Sequence, residues 1–152
     1  MNTTNLTTIQ KLSLSMLRVM GSGIFLLAGA GHLTATADTA ARLEEAPFGF
    51  LATSIASAEL LVICSGIALL GGGILLLAGY KTHYAALLLA LVLIPITLTV
   101  QVSGQTLGPL FKNIAIMGIL IFFMVNGALA HSIDTFMESR KPLKDHNDSH
   151  SL

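Results

Sequence analysis

Four long apolar runs, each closed by a cluster of polar residues, organise this chain: Leu12 to Leu33, Phe50 to Gly79, Tyr84 to Val102 and Leu110 to Ala130. A helix crossing the hydrocarbon core of a bilayer needs about 20 such residues at a rise of ~1.5 Å each. The pattern therefore predicts an all-α integral membrane protein, a four-helix transmembrane bundle over residues 12–131, with a polar N-terminal segment over 1–11 and a polar C-terminal tail over 132–152. Pro95 removes a backbone donor inside the third run and predicts a kink. Ser103 to Pro109 reads as the tight connection into the fourth. The second run is longer than a span requires, and its Gly71-Gly72-Gly73 is able to interrupt a helix. Between the first two runs, Ala35 to Glu45 predicts a short amphipathic helix lying at the interface, with Leu43 and Phe48 turned inward.

Composition narrows the function classes. Of 152 residues, 53% are hydrophobic and 11% charged, outside the range of ordinary soluble domains. Eight basic and eight acidic residues cancel, and no basic stripe offers a surface to nucleic acid. The single cysteine, Cys64, rules out dithiol chemistry within the chain. The first apolar run lacks a small-x-small cleavage site, so a cleaved signal peptide is not expected. Lys11, Arg18, Lys81, Arg140, Lys141 and Lys144 fall on one face of the predicted bundle, against Arg42 and Lys112 on the other. The excess of bases predicts that both termini are cytoplasmic. From Glu138 onward the tail mixes charges, His and Ser and reads as solvated.

Polar residues inside the spans carry the candidate chemistry. Glu59 is the one carboxylate between Glu45 and Asp134, and an unpaired carboxylate in hydrocarbon costs several kcal/mol. It lies 22 residues before Lys81, or ~33 Å along a helix, which places it at the outer rim. His32 ends the first helix and Lys112 with Asn113 opens the fourth at the same level, so His32, Glu59, Lys112 and Asn113, with Gln101 in reach, form a predicted ligand or ion-pair pocket. Taken singly, His32 and Lys112 also read as ordinary anchors of helix ends. Arg18 and Asn126 share a second polar level ~20 Å below the first and are candidates to hydrogen-bond each other, unless Arg18 extends to the headgroups. Small residues at Ala52, Ala56, Gly66 and Gly73 share the Glu59 face, and Gly21, Gly23, Gly29 and Gly31 line the first helix, the sign of close helix packing. His83 and His131 lie at helix boundaries without a Cys, Asp or Glu beside them, so no metal site is assigned and neither is read as a haem ligand.

Several of these residues carry a likeness to a known group. Arg18, the run Gly29-Ala30-Gly31-His32, the step Ala58-Glu59-Leu60 followed by Gly66, the exit from Gly79 to Lys81, and Lys112-Asn113 opening an aliphatic helix with Gly118 resemble the DoxX family of small bacterial membrane proteins, over roughly Leu17 to Gly127. The resemblance implies a multi-pass protein of the bacterial inner membrane and, as in some members, a subunit of a thiosulfate:quinone oxidoreductase or another redox complex. It carries Arg18, His32, Glu59, Lys112 and Asn113 over as the functional set. The chain holds no evident cofactor centre, and no complete catalytic constellation establishes it as an enzyme. A quinone is the ligand expected, lipid and other membrane or membrane-associated subunits are the partners, and a homo-oligomer is open. The competing expectation is a non-catalytic structural or assembly subunit packing against a larger complex. Transport of a small lipid or anion is a third, for which four helices leave little room.

Overall fold

In a computed structural model, which describes residues 6–101 and 107–139, the chain runs α1 (Thr8–Thr34), α2 (Thr36–Glu45), α3 (Gly49–Thr53), α4 (Ala58–Ala78), α5 (Thr82–Ile96) with a π turn at Thr97–Gln101, α6 (Leu107–Asn126) and α7 (Ile133–Ser139). Helices α1, α4, α6 and α5 with its π turn are long and apolar enough to cross a membrane. Residues 1–5, 102–106 and 140–152 lie outside the described residues, and with them part of the predicted N-terminal segment, of the connection into the last span and of the tail.

The helix boundaries follow from local chemistry that hydropathy does not register. Thr7 and Gln10 form a reciprocal capping box, so α1 starts before the apolar run does. The second span begins at Ala58 rather than Phe50: α3 and a turn intervene, the Ser54 hydroxyl donates to Leu51 O at 2.9 Å, and Ser57 is extended. The remaining 21 residues of α4 amount to ~31 Å, one bilayer core. Gly71-Gly72-Gly73 does not break this helix. Pro95 produces a widened π turn, in which the Thr97 and Thr99 hydroxyls donate to Leu93 O and Pro95 O at 2.7 Å each. The last span stops at Asn126, not Ala130, because Gly127 takes a left-handed φ of 66°.

Sequence neighbours pack: α1 lies along α4, α4 against α5, α5 against α6, and α6 touches α1 lightly. The closest approach is between α1 and α4. A methyl group at Gly29 would meet Gly66 O at 2.9 Å, and one at Gly66 would meet His32 Cβ at 3.0 Å. Gly73 faces Leu26 and Phe25, and Gly72 faces Leu89 on α5. Gly23 and Gly31, predicted to share this packed face, meet nothing within 4 Å. Phe25, Leu69, Leu76, Leu89, Leu120 and Phe123 form the core, while Leu27, Ile67, Ile74 and Val125 point outward as lipid-facing residues do. The predicted short helix is present as α2; Leu43 is buried as expected, but Phe48 is exposed. Ser15 and Arg18 of α1 hydrogen-bond to residues 130–131 beyond α6, so the start of α1 and the end of α6 share one face.

Replacing Gly66 by Val forces apart α1 and α4, a change of the kind that costs about 1–3 kcal/mol. Thermal melts in detergent are expected to fall clearly for Gly66→Val and to stay near wild type for Gly23→Ala, where the added methyl meets open space.

Candidate functional site

At the end of the bundle where α1 gives way to α2, a cleft of about 530 Å³ opens. His32 comes from the last turn of α1, Thr39 and Arg42 from α2, Cys64 and Ser65 from α4, and Pro95 and Thr99 from the far wall. Helix α2 roofs it because Ala40 and Leu43 bury against Ala58 and Val62. The walls are otherwise aliphatic, so a few polar groups look into an apolar slot.

The polar groups are ordered by one short relay. Ser65 donates its hydroxyl proton to Val62 O at 2.9 Å, and His32 Nδ1 lies 2.8 Å from Ser65 Oγ. A hydroxyl has a single proton, so the arrangement that satisfies both contacts assigns the proton between the two side chains to His32 Nδ1. In neutral His32 the nitrogen left for a ligand, Nε2, then carries a lone pair. The relay depends on the α1–α4 contact, since Gly66 is what lets His32 lie beside Ser65.

Among the described side chains of the predicted pocket, only His32 lines this cleft. Glu59 is exposed in the first turn of α4, Lys112 is exposed on α6, and neither forms an ion pair among the described residues. Exposed at a helix start, with the helix dipole behind it, Glu59 is stabilised without an ion pair. Asn113 is buried elsewhere, donating Nδ2–H to Thr97 Oγ1 at 2.9 Å and so tying α6 to the π turn. Gln101 closes that turn, and its side chain lies outside the described residues. Thr39, Arg42, Ser65 and Thr99 are cleft residues that sequence reasoning missed; a serine in the middle of an apolar span was the available signal.

The opposite end holds a second polar assembly. Arg18 and Asn126 do not bond each other, and Arg18 does not reach outward. Its buried guanidinium donates to Ala130 O at 3.1 Å and His131 O at 2.6 Å, packed over Gly79, while Asn126 Nδ2–H returns to Phe122 O in its own helix. Helix α5 follows an N-cap residue, Lys81, that is left-handed at φ 47° and supplies no side-chain cap of its own. Asp134 supplies the cap from α7, accepting from Lys81 N at 2.8 Å, Thr82 N at 3.0 Å and Thr82 Oγ1 at 2.8 Å. Part of the predicted tail is thus docked. Partial burial pushes the Asp134 carboxyl up, but these three hydrogen bonds and nearby His83 outweigh it and hold the group below its usual 3.8. His83 donates Nδ1–H to Met124 O at 2.7 Å, and His131 Nδ1 meets Ser15 Oγ at 3.1 Å, so the two histidines serve separate contacts. Gly127 is fixed twice, by its φ and by His83 Nε2, which a methyl group there would meet at 2.7 Å. An uncapped α5 was the signal for Asp134, the first carboxylate to follow Glu59.

The family model of DoxX matches residues 13–102, from α1 through the π turn, and takes in every residue named around the cleft. The chain belongs to the DoxX family. No curated protein and no solved structure gives a significant match. In this DoxX protein the cleft lies inside the matched stretch, whereas Lys112, Asn113 and the Asp134 cap lie beyond it.

Two outcomes are expected. Glu59→Gln changes the detergent melting temperature little, the loss being at most about 1 kcal/mol of dipole interaction. Asp134→Ala removes the α5 cap and costs about 1–2 kcal/mol. Because the folded carboxyl titrates below 3.8, its contribution is complete above that value and is lost as pH falls through the folded value. Melts recorded as pH drops below about 4 are expected to show a steeper fall for wild type than for Asp134→Ala.

Proposed function

We propose that this protein is a bacterial inner-membrane subunit, with both termini cytoplasmic, that holds a quinone-class ring in the cleft beside a redox partner. The observation that supports this is the cleft itself: about 530 Å³, aliphatic along its walls and bearing His32, Thr39, Arg42 and Ser65. A quinone asks for that division, an apolar slot for its tail and a few hydrogen-bonding groups for its two ring oxygens. The resemblance to DoxX proteins implies a complex of this kind. Electron transfer falls to the partner, and this chain's part is to position the ring near the outer membrane surface.

A structural or assembly role is the second reading. Gly23 and Gly31 on α1 and Gly118 on α6 face open space, where another membrane helix is able to approach closely.

Gentle-detergent purification followed by mass spectrometry of protein and lipid separates the two. The first reading expects a co-extracted quinone, reduced about tenfold in His32→Ala, a loss of ~1.4 kcal/mol. It also expects a ring-substituted quinone, unable to arylate thiols, to slow alkylation of Cys64, which is exposed and lines the cleft. Stoichiometric protein partners with no quinone, and Cys64 alkylation indifferent to added quinone, would support the assembly role instead.

A further inference from the structure

Hydroxyl groups in the cleft have already given away their protons. Thr39 Oγ1 donates to Ala35 O at 2.8 Å, Ser65 Oγ to Val62 O at 2.9 Å and Thr99 Oγ1 to Pro95 O at 2.7 Å. His32 has given its Nδ1–H to Ser65. What His32 turns toward a ligand in its neutral form is therefore the lone pair of Nε2. Arg42 is the one cation in the lining and is donor only.

We infer that the cleft prefers the reduced, hydroxyl-bearing form of its ring ligand, a quinol, over the quinone, with His32 Nε2 accepting one hydroxyl proton in a hydrogen bond. The inference rests on the reading of the cleft as a quinone-class site. A quinol carries two O–H donors whose oxygens also accept, so it satisfies His32 at one end and is able to accept from Arg42. A quinone has carbonyl acceptors alone. Against His32 its oxygen faces a lone pair, and a buried polar group is left unsatisfied on each side, a penalty comparable to a lost hydrogen bond. Reversing the His32 tautomer to serve a carbonyl would require Ser65 to abandon Val62 O and donate to Nδ1 instead. Selectivity between the two forms is thus written into the serine beside the histidine.

The test is binding of a fully ring-substituted decylquinone, its quinol and the quinol dimethyl ether to the full chain in detergent, measured anaerobically by titration calorimetry, with partition into empty micelles measured in parallel. The quinol is expected to bind about tenfold or more tightly than the quinone, and the dimethyl ether, which lacks donors, as weakly as the quinone. Ser65→Ala frees His32 to carry its proton on Nε2, so the preference is expected to narrow mainly through tighter quinone binding, while Ser65→Thr retains it. Equal affinities in wild type, a tighter quinone, or an ether that matches the quinol would overturn the preference and leave the cleft as a quinone-class site. Failure of all three compounds to bind would overturn that reading, and the preference with it.

Discussion

How near α1 is able to come to α4 decides what the cleft end of this protein is. In lipid no hydrophobic effect pushes two apolar helices together, so their association depends on close packing and on hydrogen bonds between them. Gly29 and Gly66 remove the side chains that would hold the two backbones apart. With that separation closed, His32 lies against Ser65, Ser65 is committed to Val62 O, and the proton on the imidazole is assigned to Nδ1. Glycines with no polar atom in the cleft thereby set the hydrogen-bonding character of the groups that line it.

The opposite end is held by different means. There, helix termini leave backbone groups without partners, and distant residues satisfy them: Asp134 takes the first amides of α5, and Arg18 takes two carbonyls of the segment that follows α6. One end is tied by charged groups acting on backbone, the other by backbone proximity acting on neutral side chains. The π turn after Pro95 connects the two sets of walls, since Thr99 faces the cleft and Thr97 accepts from Asn113 on α6. A helix widened at that point serves both the pocket and the bundle, which is where such turns tend to occur.

Much of the fold was legible in the sequence because lipid imposes length and apolarity on every span. The four spans, the short helix between the first two and the packing roles of Gly29, Gly66 and Gly73 all follow from hydropathy and residue size. The boundaries did not, because Phe50 to Ile55 is as apolar as a span yet folds as a short helix and turn, and because Gly127 stops α6 through a dihedral angle that hydropathy does not register. For the site, position along each helix was legible and rotation about it was not. The residues predicted to share a pocket are turned by their helices to different surroundings: His32 to Ser65, Asn113 to Thr97, Glu59 and Lys112 outward. Uncharged partners such as Ser65 and Thr97 leave no mark in a search for charges.

The most direct test of the account is the protonation state of one ring. In full-chain protein labelled with ¹⁵N-histidine and held in detergent at neutral pH, with His32 assigned by comparison with His32→Gln, the account predicts a proton on Nδ1 and a bare, lone-pair-bearing Nε2. A proton found on Nε2, or rapid exchange between the two nitrogens, would contradict the relay from His32 through Ser65 to Val62 and the close α1–α4 contact that sets it.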